Sequence, residues 1–492
     1  MSCRSRSRVL RGPLRSHLSY LLLAISRIPF AIALLSANPA LAHVSDRGFV
    51  MLLPTGHYLA GGALAVAASF LALALLPPAL IDRLAKGRFI LSGNWRPRGR
   101  TVVSLVAFAA CVVLLLAGWR GSRDPLSNPL PLTIWTLVWI GLTLVQGLLG
   151  NLWAWISPWY GPCRLIRRAF RRDADEPMLA LPRKVGYWPA VLLFFGFAWF
   201  ELIDLAPDDP ARLATVVSIY FAANLAAMLV FGHAAWSRRG ECLSTFFGLI
   251  ARFSIVEQFR KDDREGLALR WPAAKLSQAE PLPPSGVLFL LLTLASVSFD
   301  GLSRTFFWLG LNGINPLEFP GRSAMTGINT IGLLASFAAL SAVFLVAVSA
   351  GERLARSAGA FWNGAGLLVW SIVPIALAYH FSHYLTVLVV NGQYALVALS
   401  DPFGRGWDLF GTAGLQVFPG LTMGSQAAWL IWNLQAGTIV LGHVLAVLVA
   451  HMMAFRLHPD ARAAALSQLP LTVLMIGYTV LGLWLLSTPT GA

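Results

Sequence analysis

The chain has 492 residues, of which 57% are apolar and only 12% charged, and its mean hydropathy is +0.67. A soluble domain carries about 25% charged residues, so a soluble enzyme and a disordered chain are both excluded. The net charge of +16 would point to nucleic acid in a soluble protein, but in a chain of long apolar runs the placement of charge matters more than its sum.

Residues 1–42 read as a signal peptide. Arg4, Arg6, Arg8, Arg11, Arg15 and Arg27 precede the apolar stretch Ile28 to Ala37, and Ala40-Leu41-Ala42 is a small-x-small cleavage site. The mature chain then begins at His43. Because Arg27 lies close to the apolar run, an uncleaved first helix is the alternative.

Ten spans follow, at about 58–80, 102–119, 132–153, 187–205, 213–235, 285–307, 326–349, 363–391, 427–453 and 470–487. Each is long enough to cross roughly 30 Å of hydrocarbon as a helix. The predicted fold is therefore all-α, a polytopic transmembrane bundle, with 43–492 as a single integral domain in a lipid bilayer. With the mature N-terminus outside, loops 82–101, 154–186, 236–284, 350–362 and 454–469 face the cytoplasm and hold 25 Lys/Arg, against 7 in the external segments. That asymmetry orients the chain in a bacterial inner membrane with a periplasmic N-terminus and accounts for the basic charge without a nucleic-acid partner. Trp119, Trp153, Trp188, Trp236 and Trp429 fall at span ends and read as interfacial anchors. The apolar stretch Glu241 to Val256, interrupted by Arg252, reads as an interfacial helix within the 236–284 loop rather than an eleventh crossing.

Cys3 lies in the leader, Cys111 in a span, and Cys163 and Cys242 on the cytoplasmic side, so no disulfide is expected. CxxC, CxxCH, Walker A, GxSxG and HExxH patterns are absent.

The informative residues are the polar ones inside the spans, where an ionisable group costs about 2.5 kcal/mol or more. At 1.5 Å per residue from each cytoplasmic start, Glu201 and Asp204 fall at roughly 21 and 25 Å, Asp300 at roughly 22 Å, and His380 and His383 at roughly 25 and 30 Å. They share a level in the external third of the membrane, where His57 begins the first span and Asn433 and Gln435 lie in the first turns of the ninth. His380 and His383 are three apart, about 60° around a helix, so both rings can address one object. Two imidazoles and several carboxylates between helices are a ligand set for a divalent metal such as zinc, iron, manganese or copper. His43 adds an α-amine and an imidazole to the candidate ligands His380, His383, Asp300 and His57, while Glu201, Asp204 and Asp300 are the candidate catalytic carboxylates. Each has a plainer alternative: Glu201 and Asp204 marking a span end, Asp300 ion-paired with Arg304 four residues on, and His233 and His443 as hydrogen-bonded packing residues.

Particular stretches carry a resemblance: Ala42-His43-Val44-Ser45-Asp46-Arg47, Ser298-Phe299-Asp300-Gly301, His383-Tyr384-Leu385-Thr386 through Asn391-Gly392-Gln393, Ser400-Asp401-Pro402, and Gly442-His443-Val444 with Ala450-His451. Over most of the mature chain these resemble a family of bacterial polytopic membrane proteins commonly labelled fenitrothion hydrolase. Leu53-Pro54-Thr55-Gly56-His57 departs from the family's commoner form, and the family supplies no agreed catalytic residues. The resemblance implies hydrolysis of organophosphorus esters, with an apolar small-molecule substrate entering sideways from the lipid. A bound metal would lower the pKa of its water and polarise the P=S or P=O group. Two other classes remain open. Pro374 and the glycines at 424, 437 and 442 suit a transporter or permease with broken helices, and the histidines suit a metal-handling or redox protein.

Overall fold

A computed structural model of the chain describes residues 55–75, 83, 86–92, 98–261, 264–315, 321–356, 359, 361–422 and 424–488. The expected signal peptide, the expected cleavage site and His43 lie outside the described residues. The described residues form one compact unit. Among the described residues ten helices are long and apolar enough to span a membrane: α1 Thr55–Leu75, α2 Arg100–Arg120, α3 Pro129–Leu149, α4 Trp188–Leu202, which makes a span of 20 residues with the 3₁₀ turn Arg183–Val185 ahead of it, α5 Pro210–Phe231, α6 Pro284–Ser303, α7 Arg322–Leu354, α8 Phe361–Ser400, α9 Ser425–Leu457 and α10 Ala461–Ser487. The chain is an all-α polytopic bundle.

Local chemistry sets the helix starts. Asn128 accepts from Leu130 N at 3.0 Å ahead of Pro129, Asp209 accepts from Arg212 N at 2.8 Å ahead of Pro210, and Asp460 accepts from Ala463 N at 2.8 Å. Each supplies an acceptor to backbone donors that a helix leaves unpaired at its N-terminus. The Asp460 cap moves the start of α10 nine residues before the expected 470, with Pro470 inside the helix.

Helices α6 and α8 are the centre of the bundle, with 83% of the apolar window of each buried, against 17% for α1 at the periphery. The α8–α9 seam is closed by a reciprocal clasp in which Ser382 Oγ donates to Gln435 O at 2.9 Å and Gln435 Nε2 donates to Ser382 O at 2.7 Å. Close approach along the same seam needs Gly442, where a Cβ would stand 2.3 Å from that of Ala378.

Two features differ from the sequence expectation. The 82–101 and 236–284 connections join in a three-stranded antiparallel sheet, with β1 (Arg88–Ser92) and β2 (Val256–Lys261) flanking β3 (Arg264–Arg270). These two connections therefore share one face of the bundle, independently of their charge. Arg456, at the end of α9, binds the carbonyls of Ser277 and Ala279 and brings a third connection to that face.

The second difference is the helix Cys242–Ile250, expected to lie at an interface with one face in lipid. Instead Cys242, Thr245, Phe246, Phe247, Leu249 and Ile250 are all buried, and Phe246 packs on Trp139 and Phe194. Glu241 caps it, accepting from Leu243 N at 2.8 Å and Ser244 N at 2.6 Å. Beyond its other end Lys275 Nζ donates to Ala251 O, Ser254 Oγ and Val256 O at 3.0, 2.5 and 2.9 Å. Burial pushes this ammonium down to about 8. Arg252 lies outside the helix over the ring of Trp370, so the helix itself carries no basic side chain. Among the expected anchors, Trp119, Trp188 and Trp429 are exposed, while Trp153 is buried and donates to Ser244 Oγ at 3.0 Å.

A Cβ at Gly351 of α7 would lie 1.9 Å from Ser467 O of α10. Gly351→Ala is therefore expected to force the two helices apart and to destabilise the bundle by about 1–3 kcal/mol, seen as a lowered thermal midpoint in detergent. An unchanged midpoint would contradict the α7–α10 packing.

Candidate functional site

The last turns of α4 and α6 and the middle of α8 bring a cluster of ionisable side chains together at the face opposite the sheet. Asp300 is its hub, with a carboxylate side chain 2% exposed. His383 Nε2 lies 2.8 Å from Asp300 Oδ2. A carboxylate oxygen only accepts, so this nitrogen carries the proton and donates. Tyr384 OH donates to the same oxygen at 2.9 Å and stands 3.4 Å from Glu201 Oε1. The phenol has one proton, and the shorter contact takes it. Arg304 Nη2 lies 2.9 Å from Oδ1 of Asp300, the i,i+4 pairing open to these residues on one helix face.

Close packing holds this geometry. The ring of His383 stacks on Tyr379 at 6.0 Å and meets Tyr384 edge-on at 4.7 Å. Gly301 is required beside them, because a Cβ there would stand 2.8 Å from Tyr379 OH.

His380 is turned away from the hub. Its Nε2 lies 3.0 Å from the carbonyl of Trp139 and must donate to it. Trp139 lies in the π-helical stretch Leu132–Leu142 of α3, and the same carbonyl accepts from Thr143 Oγ1. The His380 ring is edge-on to both Trp139 and Tyr384 at 4.9 Å. Beside it is a cavity of ≈ 10 Å³, walled in part by Trp139, Phe246, Val297 and Leu377, with room for about one water.

Asp204 belongs to a different structure. Its Oδ2 is bound by Arg212 Nη2 at 2.6 Å and its Oδ1 accepts from Ala206 N at 3.0 Å. Arg322 Nη1 adds a bond to the Asp204 carbonyl at 3.0 Å, so Asp204 shapes the α4–α5 turn. His57 is exposed on α1, which packs on α9 and α10. Its neighbour Tyr58 donates to Asn433 Oδ1 at 2.9 Å. His233 packs edge-on to Tyr160 and lies 3.8 Å from Asp175, and its ring beside that carboxyl holds Asp175 below the usual carboxylate range.

The expected divalent metal does not fit this arrangement. One oxygen of Asp300 faces a guanidinium, the other receives two hydrogen bonds, His380 is committed to a backbone carbonyl, and Asp204 is committed to Arg212. Arg304 already supplies the fixed positive charge that a metal would bring. Among the described residues no three His, Cys, Asp or Glu side chains are grouped to hold a metal ion.

A second polar tier lies between the hub and the face bearing the sheet. Tyr379 OH is buried without a hydrogen-bond partner among the described residues. Ser298 Oγ bonds Tyr478 OH, whose ring lies 6.3 Å from that of His443. His443 Nδ1 donates to Ile439 O at 2.8 Å, leaving Nε2 buried and unpartnered among the described residues. His451 meets Gln468 at 3.2 Å and His458 meets Glu352 at 3.1 Å. The eight-residue spacing keeps His443 and His451 on one side of α9, and His458 is the residue that caps its C-terminal end.

If the hub is complete without a metal, the purified protein contains none in stoichiometric amount, and dialysis against a chelator leaves its thermal midpoint unchanged. Elemental analysis showing one bound transition metal per chain, lost together with stability on chelation, would contradict this geometry. No protein-family model, curated protein or solved structure matches the chain.

Proposed function

We propose that the Asp300–His383 pair is the general base of a membrane-embedded hydrolase acting on apolar, organophosphorus-type esters. The observation that supports this reading is the 2.8 Å contact between His383 Nε2 and Asp300 Oδ2. With the Nε2 proton committed to the carboxylate, the lone pair at Nδ1 is left to take a proton from water. The carboxylate holds the tautomer and stabilises the imidazolium that forms. His383 retains 18% side-chain exposure and Arg304 58%, whereas Asp300 is shielded.

A water that gives its proton to Nδ1 forms the new P–O bond, the aryloxide leaves with the electrons of the old one, and His383 returns the proton to it. The exposed guanidinium of Arg304 faces the negative charge that develops on the phosphoryl oxygen or sulfur. In proteoliposomes, His383→Ala is expected to lower hydrolysis of an aryl phosphorothioate triester by roughly 10²–10⁴-fold while membrane insertion is retained and chelator has no effect. Turnover at the parent rate in this variant would remove the pair from the mechanism.

The face carrying the sheet and the basic connections is cytoplasmic in this reading, which puts the Asp300 hub near the external face of a bacterial inner membrane. Support comes from the 25 to 7 distribution of Lys/Arg and from the sheet that joins two of the basic connections. A reporter fused at residue 274 should be active only in the cytoplasm, and periplasmic activity there would invert the topology.

Proton-coupled transport is a second reading, favoured by the polar tier from Tyr379 through Tyr478 and His443 to His458. Under it, His443→Leu abolishes substrate-dependent proton uptake by vesicles. Under the hydrolase reading, the same variant keeps parent hydrolysis.

A further inference from the structure

The start of α4 adjoins a pocket of ≈ 440 Å³ lined by Arg183, Tyr187, Arg238 and Arg239. Its wall residue Tyr187 precedes Glu201, the α4 residue at the Asp300 hub, by 14 residues, at the other end of the helix, so the hydrolytic reading makes no use of it. Arg183 comes from the short 3₁₀ turn Arg183–Val185, and Arg238 and Arg239 close the helix His233–Arg239. Arg252, anchored over Trp370 at 5.2 Å, bears on the Tyr187 phenol together with Arg238 and Arg239.

Like charges gathered in one place repel unless an anion joins them. Among the described residues none of these four arginines is ion-paired. Arg238 spends one bond on Ala234 O at 3.0 Å and Arg239 one on Leu181 O at 3.4 Å. A guanidinium has five N–H donors, so most remain for a ligand. The pocket also adjoins a helix end: Tyr187, which lines it, is the N-cap of the 15-residue helix α4 and makes no side-chain cap, and a helix N-terminus carries partial positive charge. Trp188, 45% exposed at the first turn of α4, marks the depth at which interfacial aromatics meet headgroups.

We propose that this pocket binds the phosphate group of an anionic ligand, with Arg183, Arg238 and Arg239 as its charged clamp and Tyr187 as a phenolic donor and wall. Guanidinium forks match the paired oxygens of a phosphate and bind it bidentately. At the level of Trp188 that phosphate comes from an anionic phospholipid of the same leaflet or from a soluble phosphate compound.

Full-length protein in phosphatidylcholine nanodiscs is compared with the same protein in discs containing phosphatidylglycerol and in phosphatidylcholine discs supplied with inorganic phosphate, reading thermal midpoint and retained lipid by native mass spectrometry. A rise with phosphatidylglycerol alone assigns the lipid, and a rise with phosphate assigns the soluble source. In Arg183→Gln/Arg238→Gln the affinity should fall by roughly tenfold or more for the charged hydrogen bonds removed, while Arg168→Gln/Arg172→Gln, which removes the same charge from exposed positions of the 154–186 connection, keeps it. Both arginines of the test pair are exposed, so the fold survives their loss. Absence of a rise with either ligand, or equal losses in the two double variants, would overturn the proposal. Hydrolysis of esters by the parent protein is read separately, so failure here leaves the His383 reading standing.

Discussion

Burying a carboxylate in a helical bundle demands partners, and at Asp300 that demand orders one end of the molecule. An unpaired carboxylate in a medium of low dielectric costs on the order of tens of kcal/mol, so the surrounding helices must supply donors at fixed positions. Arg304 answers from one turn along α6, and His383 and Tyr384 answer from α8. This requirement sets the rotation of α8 against α6. Gly301 follows from it, since any larger residue would displace Tyr379 and with it the ring against which His383 stacks. Removing one partner of such a buried pair costs about 3–5 kcal/mol, so the same contacts that poise His383 as a base hold the two central helices in register.

The layer beneath repeats the rule with backbone in place of charge. His380 is buried and has no acid of its own, and it is satisfied by a carbonyl of the π-helical stretch in α3. Single-turn π distortions occur often at functional sites; here a longer one brings Trp139 against His380, Phe194, Phe197 and Phe246. The buried helix Cys242–Ile250 completes that aromatic layer, which explains why an apolar stretch too short to cross a membrane is nonetheless enclosed.

Depth was legible from the chain and azimuth was not. Counting helical rise placed Glu201, Asp300 and His383 at one level, and the i,i+4 pairing of Asp300 with Arg304 was already visible. Which way each side chain turns depends on which helices are neighbours, and sequence spacing within one helix leaves that open. Hence Asp204, three residues from Glu201, faces Arg212 instead of the hub, and His380, three from His383, faces a carbonyl. Tyr384 carries no charge and stood out only as part of the stretch His383 to Thr386, and Trp139 contributes through its backbone, so neither was marked as a site residue. The sheet was hidden for another reason: β1 and β3 are short and pair across some 170 residues of chain, and hydropathy alone sees only two basic loops. Arg252 suggested a surface helix because the sequence did not show that it falls just past the helix end.

The central claim is that His383 acts through Asp300 and not beside it. A double-mutant cycle of His383→Ala and Asp300→Asn, read on the hydrolysis of an aryl phosphorothioate triester in proteoliposomes, tests that coupling directly. The double variant is expected to be no slower than His383→Ala alone, because Asp300 has nothing left to orient. Losses that multiply would contradict it, since they would mean that the two residues serve independent roles.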